Sequence, residues 1–119
     1  VTKDDSWVGV DLDGTLAHYD GWRGVEHVGE PIPAILEYVK ALRLKGINVR
    51  IFTARVAEGE KAILPIETWC QDHLGEVLPI TNVKDFGMIL LIDDRCVPIV
   101  KNEGRIATAE ESMAGLEAL

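Results

Sequence analysis

Short apolar runs alternate with stretches of helical periodicity along this chain, and that alternation limits the possible folds more than any other feature. Residues 7–11 open the series: Trp7-Val8-Gly9-Val10 reads as a short buried strand that stops at Asp11. Ile32, Ile35, Leu36, Val39 and Leu42 then recur at helical spacing. Pro31 precedes them and starts a helix well, having no N–H to lose, and Gly46 ends it. Residues 48–53 saturate with Val49, Ile51 and Phe52 and close a second strand at Thr53. A second helix starts at Ile63 or Pro65 and runs to Leu74, with Ile66, Trp69 and Cys70 inward and Gly75 as its stop. Residues 77–81 form a third strand. Met88 to Ile92 is an unbroken apolar run, as expected of a strand buried on both faces. Residues 97–100 make a fifth strand or a hairpin arm, and Thr108 with Glu111 forms a capping box for a last helix through Leu116. Residues 82–87 alone separate strands three and four, too few for an ordinary helical crossover. A single helical turn is expected there.

Strands alternating with helices predict parallel βαβ units with right-handed crossovers. The expected fold is α/β: a three-layer Rossmann-like sandwich with a mostly parallel central sheet of about five strands. The 119 residues, 47% of them apolar, suffice for one domain over 1–119 with one core. Residues 14–30 carry Gly14, Gly21, Gly24 and Gly29 between aromatic and charged residues and read as a loop or small flap. The net charge of −8 disfavours a generic hold on nucleic-acid backbone, though not a nucleotide whose charge a metal meets. Cys70 and Cys96 match neither a metal-ligand spacing nor a disulfide framework and read as reduced thiols of a cytoplasmic protein. No apolar run approaches the ~20 residues of a membrane span, and no signal peptide is expected.

Each strand ends in a residue of chemical use. The first ends at Asp11 and Asp13, the second at Thr53 followed by Ala54 and Arg55. Lys84 follows the third, and Asp93-Asp94-Arg95 the fourth. In a parallel sheet these ends share one edge, where open α/β sheets bind ligands. Close carboxylates repel, which strongly raises one pKa unless a positive charge lies between them. A divalent cation is the simplest answer.

This set, in this order, resembles the haloacid dehalogenase (HAD) superfamily of phosphotransferases. The motifs are DLDGT at 11–15, the Thr53 of IFTAR, the Lys84 of TNVKD and LLIDD at 90–94, spanning most of the chain. The resemblance implies a Mg²⁺-dependent phosphatase that cleaves phosphate monoesters through an aspartyl phosphate on Asp11. Asp13 would be the general acid and base, its backbone carbonyl reaching the metal. Thr53 would donate to a phosphoryl oxygen, with Ala54 beside it, and Lys84 would hold both the nucleophile and the phosphoryl group. Family variants with Gly-Asp at the last motif suggest Asp94 as the direct metal ligand, with Asp93 behind it or acting through water. Arg55 reads equally as a contact for substrate phosphate and as half of a structural ion pair.

Many members of that superfamily carry a cap domain. Here the two usual insertion places are small, so a capless enzyme with an open site is expected. Open sites of this kind admit bulky substrates, such as macromolecular ends, or borrow a lid from a partner subunit in a homo-oligomer. In the flap, Tyr19 and Trp22 can stack on a base or sugar and Arg23 can meet a second phosphate, or Trp22 simply packs the flap onto the sheet. LLIDDR also resembles nucleotidases and polynucleotide 3′-phosphatases, a lean toward nucleotide-type substrates. Two alternatives stand beside this reading. One is a receiver-like phosphoacceptor module, whose acid pair leads and whose phosphorylated Asp comes later, the reverse of the order here. The other is a non-catalytic HAD-like binding subunit.

Overall fold

A computed structural model describes residues 5–119. At its centre lies β1 (Trp7–Val10), whose side chains alternate between two faces as strand geometry requires. Val8 and Val10 lie level with Val49 and Ile51 of β2 (Val49–Phe52), in parallel register. Beyond β2 stands β3 (Ile80–Thr81); on the other side of β1 stands β4 (Met88–Ile92). The result is a four-stranded, all-parallel sheet in the order β3-β2-β1-β4. Among the described residues no fifth strand joins it. Residues 97–100 are instead a hairpin arm, Ile99 bridging Ile106 with Val100 N–H donating to Arg105 O and Ala107 N–H to Pro98 O. β3 is shorter than expected because Pro79, with no N–H, cannot extend its ladder, although its carbonyl still accepts from Ile51.

The helices are α1 (Pro33–Leu44), α2 (Ile63–Leu74) and α3 (Ala109–Glu117). Helix α1 begins two residues later than expected, with Pro33 and not Pro31 in its first turn. Pro31 is used elsewhere: it pairs with Ala17 and closes the base of the flap, where His18 N–H donates to Glu30 O and Ile32 N–H to Leu16 O. Helix α2 ends at Gly75 in the left-handed conformation, and α3 starts on the Thr108–Glu111 capping box, both as read from the sequence.

Leu36, Val39 and Leu42 of α1 and Ile66, Trp69 and Cys70 of α2 all pack with Val8, Val10, Val49 and Ile51. Each such side chain contributes roughly 1.5–3 kcal/mol by leaving water. Helix α3 joins the same side, Gly115 facing Leu90, which lies level with Val8. The three-layer expectation therefore fails: among the described residues every helix lies on one face. The opposite face carries Trp7, Gly9, Arg50 and Phe52, and no helix covers it. For the same reason the apolar run of β4 is not buried on both faces. It is an edge strand, and Ile89 is 53% exposed.

The link over residues 82–87 explains the missing layer. It joins strands at opposite edges of the sheet, about three strand spacings apart, or ~14 Å. Six residues in a helix rise only ~9 Å, whereas an extended chain spans ~20 Å. The expected helical turn does not form, and the link crosses the bare face. Asp85 anchors it there, accepting from Trp7 Nε1 and Gly87 N at 2.8 Å each and facing Arg50. No helix among the described residues is long and apolar enough to cross a membrane.

Candidate functional site

Asp11 continues the β1 ladder through its N–H to Ile92 O, and the chain then turns through residues 12–17. Gly14 makes that turn possible: its φ is +88°, and a Cβ there would stand 2.7 Å from Asp94 Oδ2. Asp94 is thus brought against the turn from the end of β4. Carboxylate oxygens of Asp11, Asp93 and Asp94 lie within 4.8 Å of one another. Buried Thr15 ties them together: its hydroxyl accepts from Asp94 N–H at 3.0 Å. Its one proton faces Asp94 Oδ1 at 3.1 Å and Asp11 Oδ2 at 3.4 Å, and the nearer acceptor takes it. Asp93 Oδ1 accepts from Arg95 N–H at 2.7 Å, which folds the loop after β4.

Three acids this close cannot all be charged cheaply. Burial first, then the hydrogen bond with Asp94 and the charges of Asp93 and Asp94, push the Asp11 carboxyl up to about 7. Asp94 moves below the usual carboxylate range, chiefly because it accepts that hydrogen bond from Asp11. Of the pair, Asp11 is the acid that keeps its proton further up the pH scale. An all-oxygen, all-carboxylate donor set suits a hard divalent cation of the Mg²⁺ type.

Asp13 has the opposite surroundings. Its two oxygens accept from Arg55 Nε and Arg55 NH2 at 2.8 Å each, a bidentate pair. Arg55 is only 4% exposed. It also donates to Val25 O at 3.2 Å and His27 O at 2.8 Å, and lies 5.0 Å from the centroid of the Trp22 ring. One guanidinium therefore fastens the acid, two flap carbonyls and a flap aromatic. Thr53 positions it, its hydroxyl accepting from Arg55 N–H at 3.1 Å as the cap of a 3₁₀ turn over Ala54–Glu58. The flap is also held from below, where Trp69 Nε1 donates to Gly29 O at 2.8 Å.

These groups edge an open cleft of about 570 Å³. Asp11, Asp13, Thr53, Ala54, Arg55, Tyr19, Trp22, Asp93 and Asp94 line it, as the sequence predicts. Of the two readings of Arg55 the ion pair is the one found: four of its five N–H bonds are spent on Asp13 and the flap. Two expectations fail. Arg23 turns out of the cleft and pairs with Asp20 at 2.7 Å. Lys84 lies exposed on the extended link, outside the cleft lining, near enough to Cys96 to oppose the burial and, after it, the acids that push that thiol up. Its displacement follows from the stretched link, which leaves Asn82, not Lys84, at the strand end.

Phe52, Glu58 and Asn82 line the cleft without having been assigned to it from sequence, and Arg95, placed at that edge from sequence without a role, lines it too. Asn82 follows a strand-end residue directly, and the rule that found Asp94 would have found it. Glu58 sits in a 3₁₀ turn that the sequence marks only as the approach to a helix.

No family model matches the chain, and no curated protein matches it. Among solved structures, that of a conserved protein from Bacteroides thetaiotaomicron is similar, with a TM-score of 0.58 and 27% identity over 76% of each chain. That likeness supports the α/β arrangement and carries no activity with it.

Proposed function

We propose that the chain is a Mg²⁺-dependent phosphatase of the HAD type, cleaving phosphate monoesters through an aspartyl phosphate on Asp11. One observation carries this reading: three carboxylates from two strand ends converge on a cleft whose fourth acid, Asp13, is separately held by an arginine. Asp11, Asp93 and Asp94 would hold the ion, which would supply positive charge against the phosphoryl oxygens. Asp11 attacks phosphorus, a P–O bond forms to its carboxylate, and the bond to the leaving oxygen breaks. Asp13, swung off the Arg55 guanidinium and protonated from solvent, gives that oxygen its proton. As a carboxylate it then takes a proton from the water that attacks the phosphoaspartate, whose bond to Asp11 breaks as phosphate leaves. Thr53 donates its hydroxyl proton to a phosphoryl oxygen. The substrate is a phosphorylated small molecule or macromolecular end, met in the cytoplasm.

Hydrolysis of p-nitrophenyl phosphate, measured with Mg²⁺ and again with EDTA, tests the reading. Metal-dependent turnover is expected, and a rate indifferent to EDTA removes the ion from the scheme. The position of Lys84 outside the cleft favours a second reading, a subunit that binds metal and phosphate without turnover. Calorimetric Mg²⁺ binding with no hydrolysis across a panel of phosphate esters is what that reading expects.

A further inference from the structure

Trp22 stands in the cleft with one face against a fixed group. One side of its indole meets the Arg55 guanidinium, which is buried and tied to Asp13, Val25 and His27 by four hydrogen bonds. Yet the residue is 49% exposed. A tryptophan that merely seals a flap behaves like Trp69, which is 5% exposed and spends its N–H on Gly29 O. Trp22 does neither: among the described residues its indole N–H has no acceptor, and its open surface lines the cleft beside Tyr19 and Phe52. The cleft of about 570 Å³ also far exceeds what a phosphoryl group fills. Glu58 and Asn82 supply polar edges around that spare volume.

We propose that Trp22, braced from behind by Arg55, is a stacking platform that selects phosphate monoesters bearing a flat aromatic ring, nucleoside monophosphates in class. Stacking on a ring that is ordered beforehand avoids most of the entropy cost of fixing a flap on binding. Aromatic side chains take any base in this way, because every base has a π-face. The proposal rests on the phosphatase reading for one thing, the seat of the phosphoryl group at Asp11.

The test compares adenosine 5′-monophosphate with ribose 5-phosphate, which lacks the base, on the Asp11→Asn chain in Mg²⁺, so that no turnover intervenes. Calorimetry gives the affinities. Tryptophan fluorescence locates the ring, because Trp7 and Trp69 are buried and Trp22 is not. The nucleotide is expected to bind at least ~10-fold tighter than the sugar phosphate and to quench the exposed fluorescence. Trp22→Ala should bring the ratio within about twofold, while Trp22→Phe keeps most of it. Equal affinities with Trp22 in place, no nucleotide binding, or a ratio surviving Trp22→Ala each overturn the platform. A Trp22-dependent ratio in a chain whose native form hydrolyses no phosphate ester upholds the platform and removes the phosphatase reading. Turnover with a ratio near one does the reverse.

Discussion

Asp11 and Asp13 stand two residues apart on one turn, and the structure treats them in opposite ways. Asp13 is answered within the fold: both of its oxygens face a buried guanidinium. Asp11 is not answered. Its near neighbours are Asp93 and Asp94, and its carboxyl is pushed up to about 7. A fold that neutralises one acid and crowds the next has built a fixed part and a vacant electrostatic demand side by side. The fixed part sets geometry, and the demand is of the kind a cation answers, as proposed above.

The contrast breaks most sharply at Asp11. Asp11→Asn should lower turnover of an aryl phosphate by at least ~10³-fold, as expected when a nucleophile is lost. The same change should stabilise the metal-free chain at pH 8, on the order of 1–2 kcal/mol, the linkage energy being discounted because the carboxyl is partly exposed. Opposite effects on rate and on thermal midpoint are the signature of the crowded acid.

Breaking the other half removes the answered charge. Arg55→Ala leaves Asp13 without its partner and two flap carbonyls without donors, at a cost of about 3 kcal/mol in denaturant unfolding. Arg55→Lys should recover less than half, because an ammonium cannot make the bidentate contact.

The pH dependence of the metal-free fold follows from Asp11. Its folded pKa lies above the ordinary value of 3.8, so between about 4 and 7 the native chain holds a proton that the unfolded chain has released. Stability from this group is full below that window and is lost as pH rises through it. The thermal midpoint in EDTA should therefore fall from pH 5 to pH 8, and Mg²⁺ should restore it at pH 8 by binding the native form. A midpoint that rises over that range contradicts the crowding.

Gly14 and Arg23 give the smaller effects. Gly14→Ala places a Cβ against Asp94 at a positive φ, and should cost ~1–2 kcal/mol and weaken Mg²⁺ binding about tenfold. Arg23→Ala breaks a pair with both side chains about half exposed, so stability should change by less than ~0.5 kcal/mol.

The two acids also mark how far the sequence could be read. Asp11, Asp13, Asp93 and Asp94 were legible because strand ends in a parallel sheet share an edge, a rule that needs only the apolar runs before them. The two main helices were legible from periodicity and from Gly46 and Gly75. What stayed hidden depended on connections. That the segment after Thr81 crosses a whole sheet follows from strand order, which no local pattern states; with it went the helical turn, the third layer and the place of Lys84. An ion pair was one of the two readings of Arg55, but its hold on the flap was hidden, since Val25 and His27 take part through backbone carbonyls that carry no side-chain signal.

The most direct test of the account is to find where the phosphoryl group goes. Rapid acid quench of the chain turning over an aryl phosphate in Mg²⁺, followed by peptide mass spectrometry, should find a phosphoryl group on Asp11 and none in the Asp11→Asn chain. Sustained hydrolysis by Asp11→Asn at the native rate, or turnover with the phosphoryl group on another residue, would contradict it.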